Sequence, residues 1–313
     1  MKRLKYAVHA YAWTPSWSNR TLDLIDRAKL LGFDVIEIPL MELELVDAAA
    51  IRNRAAEVGI DLCTSTACSI ANDPTGDDQA IRQRGVKYLM NCIKATADMG
   101  ATVFTGVTYS AIGRRIAEIP GEEYWEHAAK ALKEAARFAS DQGVVVGIEP
   151  INRYESFLIN TCEQGIRLRE MIGERNVALH LDAYHMNIEE ADFYEPTRKA
   201  APFLCHYHLS ESHRGTPGTG QVNWEEIYRA LASVGYSGLV GMESFCEVSG
   251  AMAAATCIWR KMANSSDELL TQGLSFLKGL EAKHYEILCV MKGEKQMRKI
   301  KVGILSGTVS RPG

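Results

Sequence analysis

Short apolar runs rich in β-branched residues alternate along the chain with longer segments whose apolar positions recur every three to four residues. Eight such runs stand out: Tyr6–His9, Asp34–Ile38, Ile60–Thr64, Ala101–Thr105, Val144–Glu149, Val177–Asp182, Leu204–Leu209 and Gly238–Glu243. The period predicts strands for these and amphipathic helices between them, among them Leu22–Leu31, Ala48–Val58, Ile81–Met99, Tyr124–Asp141 and Trp224–Val234. Each of these helices is followed within two residues by a glycine (Gly32, Gly59, Gly100, Gly143, Gly235), the residue that enters the left-handed conformation of a helix C-terminus without a steric penalty. Thr161 with Gln164 reads as a capping box that opens one more helix.

Eight strand–helix repeats predict a parallel sheet closed into a (β/α)8 TIM barrel. The competing architecture, an open doubly wound sheet, is disfavoured because no G-x-G-x-x-G turn follows the first strand. No linker composition interrupts the repeats, so one barrel domain is expected over residues 1–283, ending with a helix over Glu268–Leu280. Residues 284–313 form a C-terminal extension with a strand-like stretch, Lys299–Leu305, and a basic stretch, Lys292–Lys301. A loosely attached segment is the expected reading of it, ahead of an added oligomer contact.

Composition narrows the class. The 313 residues are 47% hydrophobic and carry 35 basic against 39 acidic side chains, a net charge of −4. That balance fits a folded protein and argues against nucleic acid as the main partner, since nucleic-acid binding runs on an excess of Lys and Arg. No apolar run approaches the ~18 residues of a membrane helix, and Met1–Lys5 leads into a strand and a polar loop, so neither a membrane span nor a signal peptide is expected. The eight cysteines are scattered without a C-x-x-C pair, which points to a reducing, cytoplasmic setting.

The candidate chemistry lies at the ends of the last four predicted strands. Glu149, Asp182, His208 and Glu243 fall at those ends, 33, 26 and 35 residues apart, each spacing close to one strand-plus-helix unit. In a closed barrel the C-terminal strand ends converge on one mouth, where barrel active sites are built. Three carboxylates and an imidazole held there without a neighbouring Lys need a cation, because clustered carboxylates repel one another and lose hydration. The oxygen-rich set suits a divalent metal, Mn²⁺ first with Mg²⁺ and Co²⁺ as alternatives, better than structural zinc. His180 and His206 stand two residues before Asp182 and His208, on the same face of their strands, and are expected as hydrogen-bonded core histidines, ahead of a role in tuning a metal ligand. Glu211 is a candidate to orient Arg214 or a ligand histidine.

The segments Gly147–Glu155 (GIEPINRYE), Leu181–Glu190 (LDAYHMNIEE), His206–Arg214 (HYHLSESHR) with Pro217–Gly220, and Met242–Phe245 (MESF) resemble the ketose 3-epimerases of the D-tagatose and D-allulose (psicose) type, within the xylose-isomerase-like barrels. The resemblance extends more weakly over residues 4–283. It implies a free ketose sugar as the small-molecule partner and Glu149, Asp182, His208 and Glu243 as metal ligands. It also implies Glu155, His185 and Arg214 at the O1–O3 end of the sugar, with Trp17 as a pocket tryptophan and His9 where an aromatic is frequent. A homodimer or homotetramer is expected. The sequence departs from the pattern at His213, where Asn is usual, at Ser244, where Pro is common, and in two stretches read as loops, Ser65–Ser69 and Gly106–Ser110.

Inverting C3 of a ketose removes a proton α to the C2 carbonyl and returns it on the opposite face. That takes two acid/base groups flanking the carbon, roles assigned to Glu149 and Glu243, with a cis-enediolate between the two transfers. Aldose–ketose or hydroxypyruvate-type isomerisation is the alternative, since an enediolate can be reprotonated at the neighbouring carbon. A DNA endonuclease on the same barrel is disfavoured: it needs many histidine ligands and a basic groove.

Overall fold

The computed structural model describes residues 3–285. Eight parallel strands close into a barrel in chain order, with β1 hydrogen-bonded to β8. They are β1 (Lys5–His9), β2 (Val35–Pro39), β3 (Asp61–Cys68), β4 (Val103–Ala111), β5 (Val145–Ile148), β6 (Val177–Asp182), β7 (Leu204–His208) and β8 (Leu239–Met242). The helices are α1 (Asp23–Leu30), α2 (Ala48–Val58), α3 (Gln79–Asp98), α4 (Glu122–Asp141), α5 (Cys162–Ile172), α6 (Ala183–Glu189), α7 (Tyr194–Ala200), α8 (Trp224–Val234), α9 (Gly250–Thr256) and α10, residues 266–285. All eight predicted strands are present.

The helices follow from local sequence. On α4, Trp125, Ala128, Leu132, Ala135 and Ala139 form one buried stripe against the barrel. Thr161 and Gln164 make the predicted capping box at the start of α5. Gly59, Gly173 and Gly235 end α2, α5 and α8 in the left-handed conformation.

Alternation along the strands sorts the side chains. Residues such as Ile36, Ile38, Leu179 and Val240 pack outward into the main apolar core under the helices. Inside the barrel, Ala7, Val35 and Cys63, with Val103 and Leu239 beside them, form a small apolar plug at the N-terminal end. The next inward positions are polar: Glu37 on β2, Thr105 on β4, His180 on β6 and His206 on β7, all fully buried. Their bulk is accommodated by glycines. A Cβ on Gly241 would lie 2.8 Å from His206 Cε1, and one on Gly147 2.6 Å from Thr105 Oγ1. Above this polar layer, at the C-terminal mouth, lie the predicted site residues.

Two expectations need correction. The stretches Ser65–Ser69 and Gly106–Ser110 are largely strand rather than loop: β3 runs to Cys68 and β4 to Ala111, paired to each other across an irregularity at Ala67/Cys68. Their β-branched residues (Thr64, Thr66, Val107, Thr108) favour the extended state, and continued pairing satisfies their backbone. The last helix also runs past its expected end at Leu280, to residue 285: Tyr285 is buried and its hydroxyl donates to Tyr236 O at 2.7 Å, while His284 pairs with Glu225 at 2.7 Å. The remainder of the extension, with Lys292–Lys301 and Lys299–Leu305, lies outside the described residues.

Candidate active site

Glu149 follows β5, Asp182 and His208 close β6 and β7, and Glu243 follows β8, so barrel closure carries all four to one mouth. His208 stands at their centre. Its Nδ1 lies 3.5 Å from Glu243 Oε2, 3.9 Å from Glu149 Oε1 and 3.9 Å from Asp182 Oδ2, and it has no hydrogen-bond partner. Its Nε2 is 2.9 Å from Glu37 Oε2. A buried imidazole nitrogen with no partner, facing three carboxylates, is a donor set suited to a divalent cation. Ligand atoms of Glu149, Asp182 and His208 approach within 4.8 Å of one another. Glu243 stands just outside that group.

The guanidinium of Arg214 bridges two of the carboxylates, with Nη1 donating to Asp182 Oδ2 at 2.7 Å and to Glu243 Oε2 at 2.5 Å. Arg214 lies over the Tyr184 ring at 4.0 Å and is one of two non-glycine residues at positive φ among the described residues, at 63°. That conformation is costly and is held from both sides: Arg214 N donates to Glu211 O, and Phe245 N donates to Arg214 O, each at 2.8 Å. Glu211 acts on this loop rather than on the guanidinium or a histidine. Fully buried, it accepts from the backbone N–H of Ser212, Gly218 and Val222 and from Trp224 Nε1, 2.8–3.1 Å away.

Electrostatics separates the carboxylates. Burial, reinforced by Glu243 and Asp182 nearby, raises Glu149 well above the usual carboxylate range. Burial pushes Glu243 the same way, but Arg214 and His208 outweigh it and hold it well below. Burial also opposes the charged form of His208, and the carboxylates of Glu37 and Glu243 overcome it, raising the imidazole well above its ordinary value.

The site opens into a cavity of about 210 Å³ lined by Glu149, Glu155, His185, His208, Arg214 and Glu243, together with His9, Tyr11, Tyr184 and Phe245. Burial and the adjacent guanidinium hold His185 neutral. The ring accepts the Asn152 backbone N–H on Nδ1 at 3.1 Å, and its Nε2 edge faces Glu149 and Asp182, with Arg214 Nη2 3.3 Å away. Asn152 also donates through Nδ2 to Glu155 Oε1 at 2.7 Å, so one residue orients both. His9 lines the cavity, with Nε2 3.1 Å from Ser65 Oγ. Trp17 does not line it. The chain leaves β1 through a short 3-10 turn, and the indole is buried in the core, 2% exposed, with Nε1 unpartnered. Tyr11 and Phe245, stacked at 6.4 Å, supply the aromatic wall. Of the two unabsorbed histidines, His206 bonds Glu37 at 2.9 Å and His180 bonds Thr105 at 2.9 Å.

Sequence reasoning missed Glu37. The one signal for it is an acidic residue inside Val35-Ile36-Glu37-Ile38, an otherwise apolar strand.

A closed parallel barrel with a carboxylate–imidazole cluster at its C-terminal mouth defines a class, and the comparisons agree with it. Residues 25–279 match the model of the xylose isomerase-like TIM barrel. The chain is 33% identical to a ketose 3-epimerase of Arthrobacter globiformis, with 88% of this chain and 96% of that one covered. It is 33% identical to an L-ribulose 3-epimerase of a Methylomonas species, over 88% and 98%. Its structure is similar to that of the D-allulose 3-epimerase from Methylomonas in complex with D-allulose, with a TM-score of 0.85 at 32% identity, covering 89% of this chain and 98% of that one. The chain belongs to the xylose isomerase-like TIM-barrel family and, within it, to the ketose 3-epimerases.

Proposed function

We propose that the protein epimerises a free ketose of the D-allulose/D-fructose, D-tagatose/D-sorbose or L-ribulose type at C3. The observation that carries this is the pair Glu149 and Glu243, placed 3.9 and 3.5 Å from the same imidazole nitrogen of His208, in a cavity that also presents Glu155, His185 and Arg214. Glu149, Asp182, His208 and Glu243 would hold a divalent cation, Mn²⁺ in the first instance, which would supply Lewis-acid polarisation of the substrate carbonyl.

The chain's own groups do the rest. One of the two glutamates takes the C3 proton and the other returns a proton on the opposite face of the cis-enediolate, with roles exchanged in the reverse direction. His185 presents its Nε2 edge to the sugar, and Glu155 accepts from a hydroxyl. Arg214 is the one Lys or Arg among the described residues lining the cavity, and two carboxylates already hold it. That leaves little to bind a phosphate dianion and supports an unphosphorylated substrate.

The test is a panel of D-allulose, D-fructose, D-tagatose and L-ribulose, each beside its phosphate ester, turned over in D₂O with Mn²⁺. Label at C3 with the C3 epimer as product is expected. Label at C2 of an aldose product, or at C1 of recovered ketose, would instead establish the aldose–ketose alternative, and a phosphate ester preferred to every free ketose would overturn the substrate class.

A further inference from the structure

Beneath the mouth lies a set of buried polar side chains that the proposed reaction leaves unused. Glu37, on β2 and fully buried, accepts on one oxygen from His206 Nε2 and His208 Nε2, each at 2.9 Å. Both histidines come from β7, across the interior of the barrel. His9 Nε2 is 3.7 Å from the other oxygen, and no Lys or Arg among the described residues forms an ion pair with Glu37. A buried carboxylate with only imidazoles around it is costly unless positive charge is supplied nearby. The path out of it runs through His208. With Nε2–H donated to Glu37, the nitrogen of His208 left for a cation is Nδ1, the unpartnered one facing Glu149, Asp182 and Glu243, where a bound cation takes the place of the proton those carboxylates otherwise favour.

We propose that Glu37 is a positioning residue for the metal ligand His208. It fixes the tautomer that leaves Nδ1 free, sets the plane of the ring, and places a compensating negative charge behind it, and so strengthens binding of a divalent cation at the mouth. His206 holds Glu37 from the side, stacked at 4.5 Å on His180, which Thr105 anchors in turn. The absence of a side chain at Gly241 leaves the space the His206 ring occupies. A second cation within the group Glu37, Cys63 and His206 fits less well, since one Glu37 oxygen already accepts two N–H donors and burial beside Glu37 pushes the Cys63 thiol away from the thiolate a metal needs.

The inference rests on the reading that the mouth binds a divalent cation, and the experiment separates the two. Mn²⁺ is titrated calorimetrically into metal-free wild type, Glu37→Gln and Thr105→Val, with circular dichroism as the check on folding. One Mn²⁺ per chain in wild type, an affinity weakened about 10–100-fold in Glu37→Gln, and little change in Thr105→Val are expected, the loss typical of removing a carboxylate behind a metal-bound histidine. Wild type that binds no Mn²⁺ would remove the metal reading itself. Wild type that binds while Glu37→Gln matches it within about twofold, or Thr105→Val that loses as much, would overturn the role of Glu37 alone. If Glu37→Gln does not fold, ¹⁵N spectra of the histidine rings in Mg²⁺-loaded wild type decide the matter. His208 with Nε2 protonated and Nδ1 on the metal is expected, and coordination through Nε2 would overturn the proposal.

Discussion

Glu149 and Glu243 face the same nitrogen of His208 and are held at opposite ends of the carboxylate range, Glu149 raised by burial and Glu243 lowered by Arg214 against the same burial. If each moves a proton at C3, Glu149→Gln and Glu243→Gln should each lower kcat by about 10²–10⁴-fold. Solvent-deuterium exchange at C3 checks this, and a variant keeping more than about a tenth of the rate would lose its assigned role. Glu211 makes a separate prediction. Burial raises its pKa, but four N–H donors outweigh that and lower it below the ordinary 4.5. A depressed carboxylate contributes stability that is present above its ordinary pKa and is lost as pH falls through the folded value. Glu211→Gln should therefore cost about 1.5–3 kcal/mol at pH 7, with the gap to wild type closing below pH 4.5, as followed by urea unfolding across pH. The mouth residues were legible because acidic and imidazole types recur at strand ends with one-unit spacing. Glu37 was not, because its partners His206 and His208 lie 169 and 171 residues away and nothing local to β2 points to them.

Strands β3 and β4 extend beyond the barrel proper and bring Thr66, Ala67, Gly106 and Val107 to the cavity wall. This extension depends on Gly106. Its φ is +114°, and a Cβ there would lie 2.1 Å from Thr66 O, a backbone atom that cannot swing aside. Gly106→Ala should destabilise the protein by about 2–4 kcal/mol, seen as a lower urea midpoint, and should reduce activity more than any change of similar size on the helical face. Local sequence marked the β-branched residues of both stretches but not the pairing that continues between them. A register shift at Ala67/Cys68 is set by both strands together and leaves no trace in either alone.

The barrel as a whole closes within the described residues, and two predictions follow from that closure. A cation bound only by the folded state stabilises it, so chelation should lower Tm relative to protein at about a hundredfold excess of Mn²⁺ over Kd, by about 5 °C in calorimetry, a shift near 2.7 kcal/mol. A chain ending at Tyr285 should fold and keep its activity, whereas one ending at Lys283 loses the buried Tyr285 ring and its bond to Tyr236 and should melt earlier. The strand–helix count, the caps and the acidic and imidazole residues at the mouth could be read from the chain alone, since each is a local pattern repeated at a regular interval and barrel closure follows from the repeat. The tertiary structure alone decided the rest: that Trp17 is buried away from the cavity, that Glu211 folds a loop, and that Glu37 stands behind His208. These depend on which distant side chains meet once inward positions from all eight strands are packed into one interior, and that meeting is fixed by the register and closure of the barrel rather than by any segment of its sequence.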